Sequence, residues 1–105
     1  MTAKPEQIIK DWALSFRDRF KKEVFYVNYS HGHQDGSFWY NLDCEKLVGS
    51  ICYWPPGTLE IQFNHYETGT VVMQETIELD GSNALEKNLA LLSKRVEKLL
   101  ASEST

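Results

Sequence analysis

Cysteine, long apolar runs and, across the middle of the chain, positive charge are all scarce in these 105 residues. The two cysteines, Cys44 and Cys52, form neither a metal-binding spacing nor a disulfide framework. No stretch approaches the ~18–20 apolar residues of a membrane span. The six glycines are scattered through turns, so no glycine-rich loop is available to cradle a phosphate. A pI near 5.3 argues against direct binding to a nucleic-acid backbone, which requires a basic stripe. The opening Met-Thr-Ala-Lys-Pro-Glu runs straight into an amphipathic pattern without a leader-like apolar segment, so a cytoplasmic, reduced protein is expected. The length suits a single domain, residues 1–105, able to bury a core without staples.

What is present is acid in the middle. Between Asn28 and Asp80 the chain carries eight acidic side chains and one base, Lys46. The acids are Asp35, Asp43, Glu45, Glu60, Glu67, Glu75, Glu78 and Asp80. The flanking segments are slightly basic, so the net charge of −4 understates the middle. Such a segment suits a basic partner.

The periodicity divides the chain. Ile8, Trp12, Phe16 and Phe20 fall four apart, with Ile9 and Ala13 widening the stripe, which predicts a helix from about Pro5 to Lys22. Pro5 suits a first helical turn, and Lys21 and Lys22 suit the negative end of the dipole. Val24 to Tyr29 then reads as strand, and Ser30 to Ser37 as a polar loop. Further strands are expected at Phe38–Asp43, Leu47–Trp54, Leu59–Tyr66 and Thr70–Leu79. Pro55-Pro56-Gly57-Thr58 separates two of them as a turn, and Glu67-Thr68-Gly69 separates the last two. Asn83, with Glu86 three residues on, can cap a final helix whose stripe is Leu85, Leu89, Leu92, Val96 and Leu99. The order helix, about five strands, helix implies an α+β domain: an antiparallel meander with both helices on one face.

That arrangement leaves the other sheet face open. Alternation puts Leu59, Ile61 and Phe63 towards the helices, and Glu60, Gln62, Asn64 and Tyr66 on the open side. Trp39 and Asp43 are expected to share it. Trp54, beside the two prolines, either caps the core or sits exposed.

Catalytic and metal readings find little support. His31, His33 and Asp35 form an H-x-H pattern in a loop, but no further donor lies at a spacing that completes a site. Neither cysteine has a neighbouring base, so both read as small buried or half-buried thiols. Glu60, Glu75 and Glu78 lack the pocket that would split their pKa values for acid–base work. No enzyme, cofactor or metal is therefore expected.

The stretch from Leu42, LDCEKLVGSICYWPPGTLEIQF, and the hairpin YETGTVVMQETIEL that ends at Leu79 resemble the TriTu family of immunity proteins. The features shared with that family are Leu42-Asp43, Trp54 ending a strand, Gly57 in a turn, Leu59-Glu60-Ile61, Glu67-Thr68-Gly69, and the leucine-rich segment from Leu85 to Leu99. Pro55-Pro56 departs from the family's turn. The resemblance implies a leading helix followed by a strand meander, and no catalytic motif. It implies an inhibitor of a toxin C-terminal domain delivered by contact-dependent growth inhibition or a related competition system. Several such toxins cut transfer RNA, some with elongation factor Tu as helper, so any contact with that factor would be indirect, through the toxin.

Residue chemistry and resemblance together nominate Asp35, Trp39, Asp43, Glu45, Glu60 and Tyr66 as toxin-contacting residues. The carboxylates would steer and pair with toxin Lys or Arg, and the aromatics would anchor. The principal alternative is an acidic secretion chaperone that binds an effector segment. Those proteins usually run longer and carry a helix between strands. A small-molecule binder or enzyme using the helix–sheet cavity is the second alternative.

Overall fold

A computed structural model describes residues 4–32, 36–79 and 82–103. Helix α1 (Pro5–Arg19) is followed by strands β1 (Tyr26–His31), β2 (Phe38–Asp43), β3 (Leu47–Trp54), β4 (Thr58–His65) and β5 (Val71–Glu78), and by helix α2 (Ser82–Glu103). The strands form one antiparallel sheet in the order β1-β2-β3-β4-β5, each paired with its sequence neighbour. The α+β meander expected from the sequence is the observed fold. His33, Asp35 and Asp80, and the Asn83 side chain expected to cap α2, lie outside what is described.

Both helices pack on one face because strand alternation delivers a continuous apolar layer there. Phe38, Tyr40, Leu42, Leu47, Ile51, Tyr53, Leu59, Ile61, Phe63 and Met73 are buried on it. From α1 the layer receives Ile9, Trp12, Ala13 and Phe16, and from α2 Leu85, Leu89, Leu92, Val96 and Leu100. Within this apolar junction Trp12 Nε1 donates to Ser93 Oγ at 2.8 Å, both residues being buried. Ser93→Ala would leave the indole N–H unsatisfied in a dry interface, with an expected loss of about 1–3 kcal/mol. Urea unfolding checks it, and an unchanged midpoint would show that the bond contributes nothing.

Several boundaries differ from the sequence expectation by a few residues, and two neighbouring ones do so for one reason. Helix α1 ends at Arg19, not near Lys22, and β1 begins at Tyr26, not Val24. Phe20 leaves the helix with φ −121° and ψ 58° while its N–H still bonds Phe16 O. The chain then reverses so that Phe25 reaches back to Phe16 and Phe20, with ring centroids 5.1 and 5.6 Å apart. The reversal places Val24 at φ 48°, an uncommon conformation for a β-branched residue. Aromatic packing, invisible to local periodicity, decides where the helix stops. At its other end β1 extends through Ser30 and His31, which the polar composition assigned to a loop. His31 pairs with Phe38 in the ladder, and its Nδ1 lies 3.2 Å from Tyr29 Oη.

Candidate functional site: the open sheet face

The ladder registers convert the open face into rows running across the strands. At one end Tyr26, Asp43, Val48, Asn64 and Val71 stand side by side. A bulge at Phe63/Asn64 brings Val71 into that row. The next row is Asn28, Asn41, Ser50, Gln62 and Gln74, uncharged throughout. Then come Ser30, Trp39, Cys52, Glu60 and Thr76, and at the far edge Trp54, Thr58 and Glu78. Same-face neighbours hydrogen-bond as this placement requires. Gln62 Nε2 donates to Asn64 Oδ1 at 3.0 Å, and Thr58 Oγ1 donates to Glu78 Oε2 at 3.0 Å.

Charge on this face is of one sign. Asp43, Glu60 and Glu78 are its carboxylates, and none of the strand positions just named is Lys, Arg or His. The rest of the acidic middle is elsewhere. Glu75 points to the helix side, where Arg95 of α2 meets it at 2.8 Å. Glu45 and Glu67 are exposed in the turns at the Asp43 end. Lys46, in the same turn as Glu45, is held by Glu23 at 3.2 Å.

The nominated residues occupy different parts of the surface. Trp39 and Glu60 share a row, separated by Cys52 on the strand between them. Asp43 lies four residues along β2 from Trp39, about 13 Å by the rise of a strand. Tyr66 follows β4 directly and is 61% exposed, and its N–H donates to Lys46 O at 2.9 Å, which ties it to the turn carrying Glu45. Asp43, Glu45 and Tyr66 therefore lie towards one end, Trp39 and Glu60 towards the other. Asp35 lies outside the described residues.

Sequence reasoning passed over Tyr26, Val48 and Val71, which are 68%, 42% and 47% exposed on the open face. Alternation in Leu47–Trp54 does carry a signal for Val48, because Leu47, Ile51 and Tyr53 all point inward. Trp54, left between two readings, belongs to the open face and is half-buried there; its Nε1 finds no acceptor among the described residues.

The site's electrostatics suit contact rather than chemistry. Burial raises the Asp43 carboxyl above the usual range, opposed by an N–H from Gly49 at 3.3 Å. Burial also raises both thiols, with the Glu60 charge adding to the effect at Cys52, so neither is poised as a thiolate nucleophile. Among the described residues no group of three or more His, Cys, Asp or Glu side chains is placed to hold a metal ion. No described helix is long and apolar enough to cross a membrane.

An uninterrupted meander, shielded by helices on one side and with no Lys, Arg or His at the strand positions of the other, defines a small α+β domain. Residues 7–95 match the model of the immunity protein TriTu family, and the chain belongs to that family. No curated protein and no solved structure matches it. Membership implies a cognate toxin as partner, and immunity proteins of this family are typically non-enzymatic.

Proposed function

We propose that the protein neutralises its toxin by tight binding through the open sheet face, and that the toxin is a basic nuclease domain of a contact-dependent growth inhibition system that cuts transfer RNA. The observation carrying this reading is the sheet face on which three carboxylates stand with no cation among them. A nuclease groove that attracts RNA is positively charged, so the same groove attracts this face, and occupying it excludes RNA. Five strands about 4.8 Å apart and some seven residues long make a plane of roughly 20 by 25 Å. With the adjoining turns, that matches the ~800 Å² each partner contributes to a standard interface. The complex would form in the cytoplasm, with elongation factor Tu involved only through the toxin. Among the described residues no helix lies between strands, which weighs against a secretion chaperone.

The test is titration of the purified protein with the toxin domain encoded by the reading frame immediately upstream. A high-affinity complex that abolishes transfer-RNA cleavage is expected, and no complex would end this reading. Glu60 is exposed on the face, so Glu60→Lys should weaken binding about tenfold, or 1.4 kcal/mol, with an unchanged melting temperature. Unchanged affinity would move the interface to another surface.

A further inference from the structure

The open face is not uniform, and its two ends suit different contributions to binding. Three of its large apolar side chains, Tyr26, Val48 and Val71, are exposed in the single row that holds Asp43, and exposed Tyr66 follows Asn64 of that row along the chain. Next to it lies the uncharged amide and hydroxyl row. The centre of a protein interface characteristically combines apolar and aromatic surface with few charges, each of them paired across the boundary. Glu60 and Glu78 are exposed and lie towards the opposite edge, as rim charges do.

Asp43 differs from those two carboxylates. It is half-buried and sits directly opposite Tyr26 on one side and Val48 on the other. Its hydrogen bond from Gly49 N is long, at 3.3 Å. Lys46, close by in the following turn, is engaged by Glu23. Covering this row with a partner would strip water from Asp43, and a cation placed across the boundary is the most direct compensation for a desolvated carboxylate. Tyr26 narrows the choice of cation. A guanidinium can lie flat on an aromatic ring and present its donor fork to a carboxylate at the same time, which a lysine ammonium cannot do.

Resting on the toxin-binding reading above, we infer that the interface is centred on the row Tyr26–Asp43–Val48–Val71, with Tyr66 at its end, and that the partner inserts there an arginine flanked by apolar surface. Glu60 and Glu78 act from the rim, steering approach.

The inference separates the carboxylates by salt dependence. Rim charges are screened as ionic strength rises, whereas a buried pair is screened much less. The experiment is titration with the same upstream-encoded toxin domain at about 0.1 and about 0.5 M salt. Asp43→Asn keeps the acceptor for Gly49 N–H and should bind at least about tenfold more weakly at both concentrations. The Glu60→Lys loss should shrink towards zero at the higher one. Val48→Lys, at an exposed position, should weaken binding about a hundredfold, and Glu78→Gln by no more than about threefold. Melting temperatures identify any variant that fails to fold, and Tyr26→Ala, at the most exposed position of the row, supplies an independent probe, expected to lose about tenfold. If Glu60→Lys weakens the complex while Asp43→Asn, Val48→Lys and Tyr26→Ala leave it unchanged, the face is right and its centre is wrong. If the wild-type protein forms no complex, the toxin-binding reading falls and this contact with it.

Discussion

Gly49→Ala is expected to destabilise the domain by about 3 kcal/mol or more, although it adds one methyl group. Gly49 lies on the helix side of β3, directly opposite Phe63 of β4, whose ring is fully buried. That ring lies over the glycine. A Cβ there would stand 2.7 Å from Phe63 Cζ and closer still to Cδ1 and Cε1. The ring cannot swing away, because it is enclosed by the layer that receives both helices. Alanine would bring a compensating gain of about 0.5–1 kcal/mol, because glycine in a strand carries extra unfolded-state entropy. Overlap with a buried ring outweighs that gain. Urea unfolding should show a large fall in midpoint, and Phe63→Leu in the same chain should recover much of it, since the two side chains share one volume. A Gly49→Ala protein as stable as wild type would refute the packing of ring over glycine.

The strands of the sheet show what local sequence can and cannot reveal. Phe38–Asp43 and Leu47–Trp54 have the bounds the sequence suggested, because runs rich in apolar and aromatic residues meet polar or proline-bearing turns. The apolar rows of both helices are legible from spacings of three and four, except that α2 buries Leu100 more fully than the expected Leu99. What failed was local pattern overruled by distant packing. Phe25 ends α1 early by folding back onto Phe16, and pairing with Phe38 draws polar His31 into a strand. Gly49, counted with the glycines of turns, lies inside β3, and only the register sets Phe63 across from it. The site suffered similarly. The acidic middle was evident from composition, and alternation already put Asp43 and Glu60 on the open side, but register and packing are needed to set Glu78 beside them and Glu75 against Arg95 behind. The row around Asp43 joins residues from Tyr26 to Val71, and no window of sequence contains it.

Phe16→Ala should cost about 3–5 kcal/mol, the range for removing a large aromatic side chain from a core. Phe16 is fully buried, and its ring meets those of Trp12, Phe20 and Phe25 at 4.7, 5.1 and 5.1 Å. It therefore joins the helix, the reversal after it and the start of the sheet, and the void would open where these elements meet. For a domain of this size the melting temperature should fall by roughly 15–30 °C. The consequence for immunity follows from geometry. Phe16 belongs to the layer behind the sheet, and the proposed contact row is in front of it. Truncation should thus reduce protection in cells by lowering the folded population, while the molecules that remain folded bind toxin as before. Calorimetry supplies the stability, and titration with the upstream-encoded toxin domain at a temperature where the variant is fully folded supplies the affinity. Equal affinity there separates a scaffold layer from a contact layer. A variant that is folded yet binds weakly would place the helix layer in the interface and overturn the assignment of the open face.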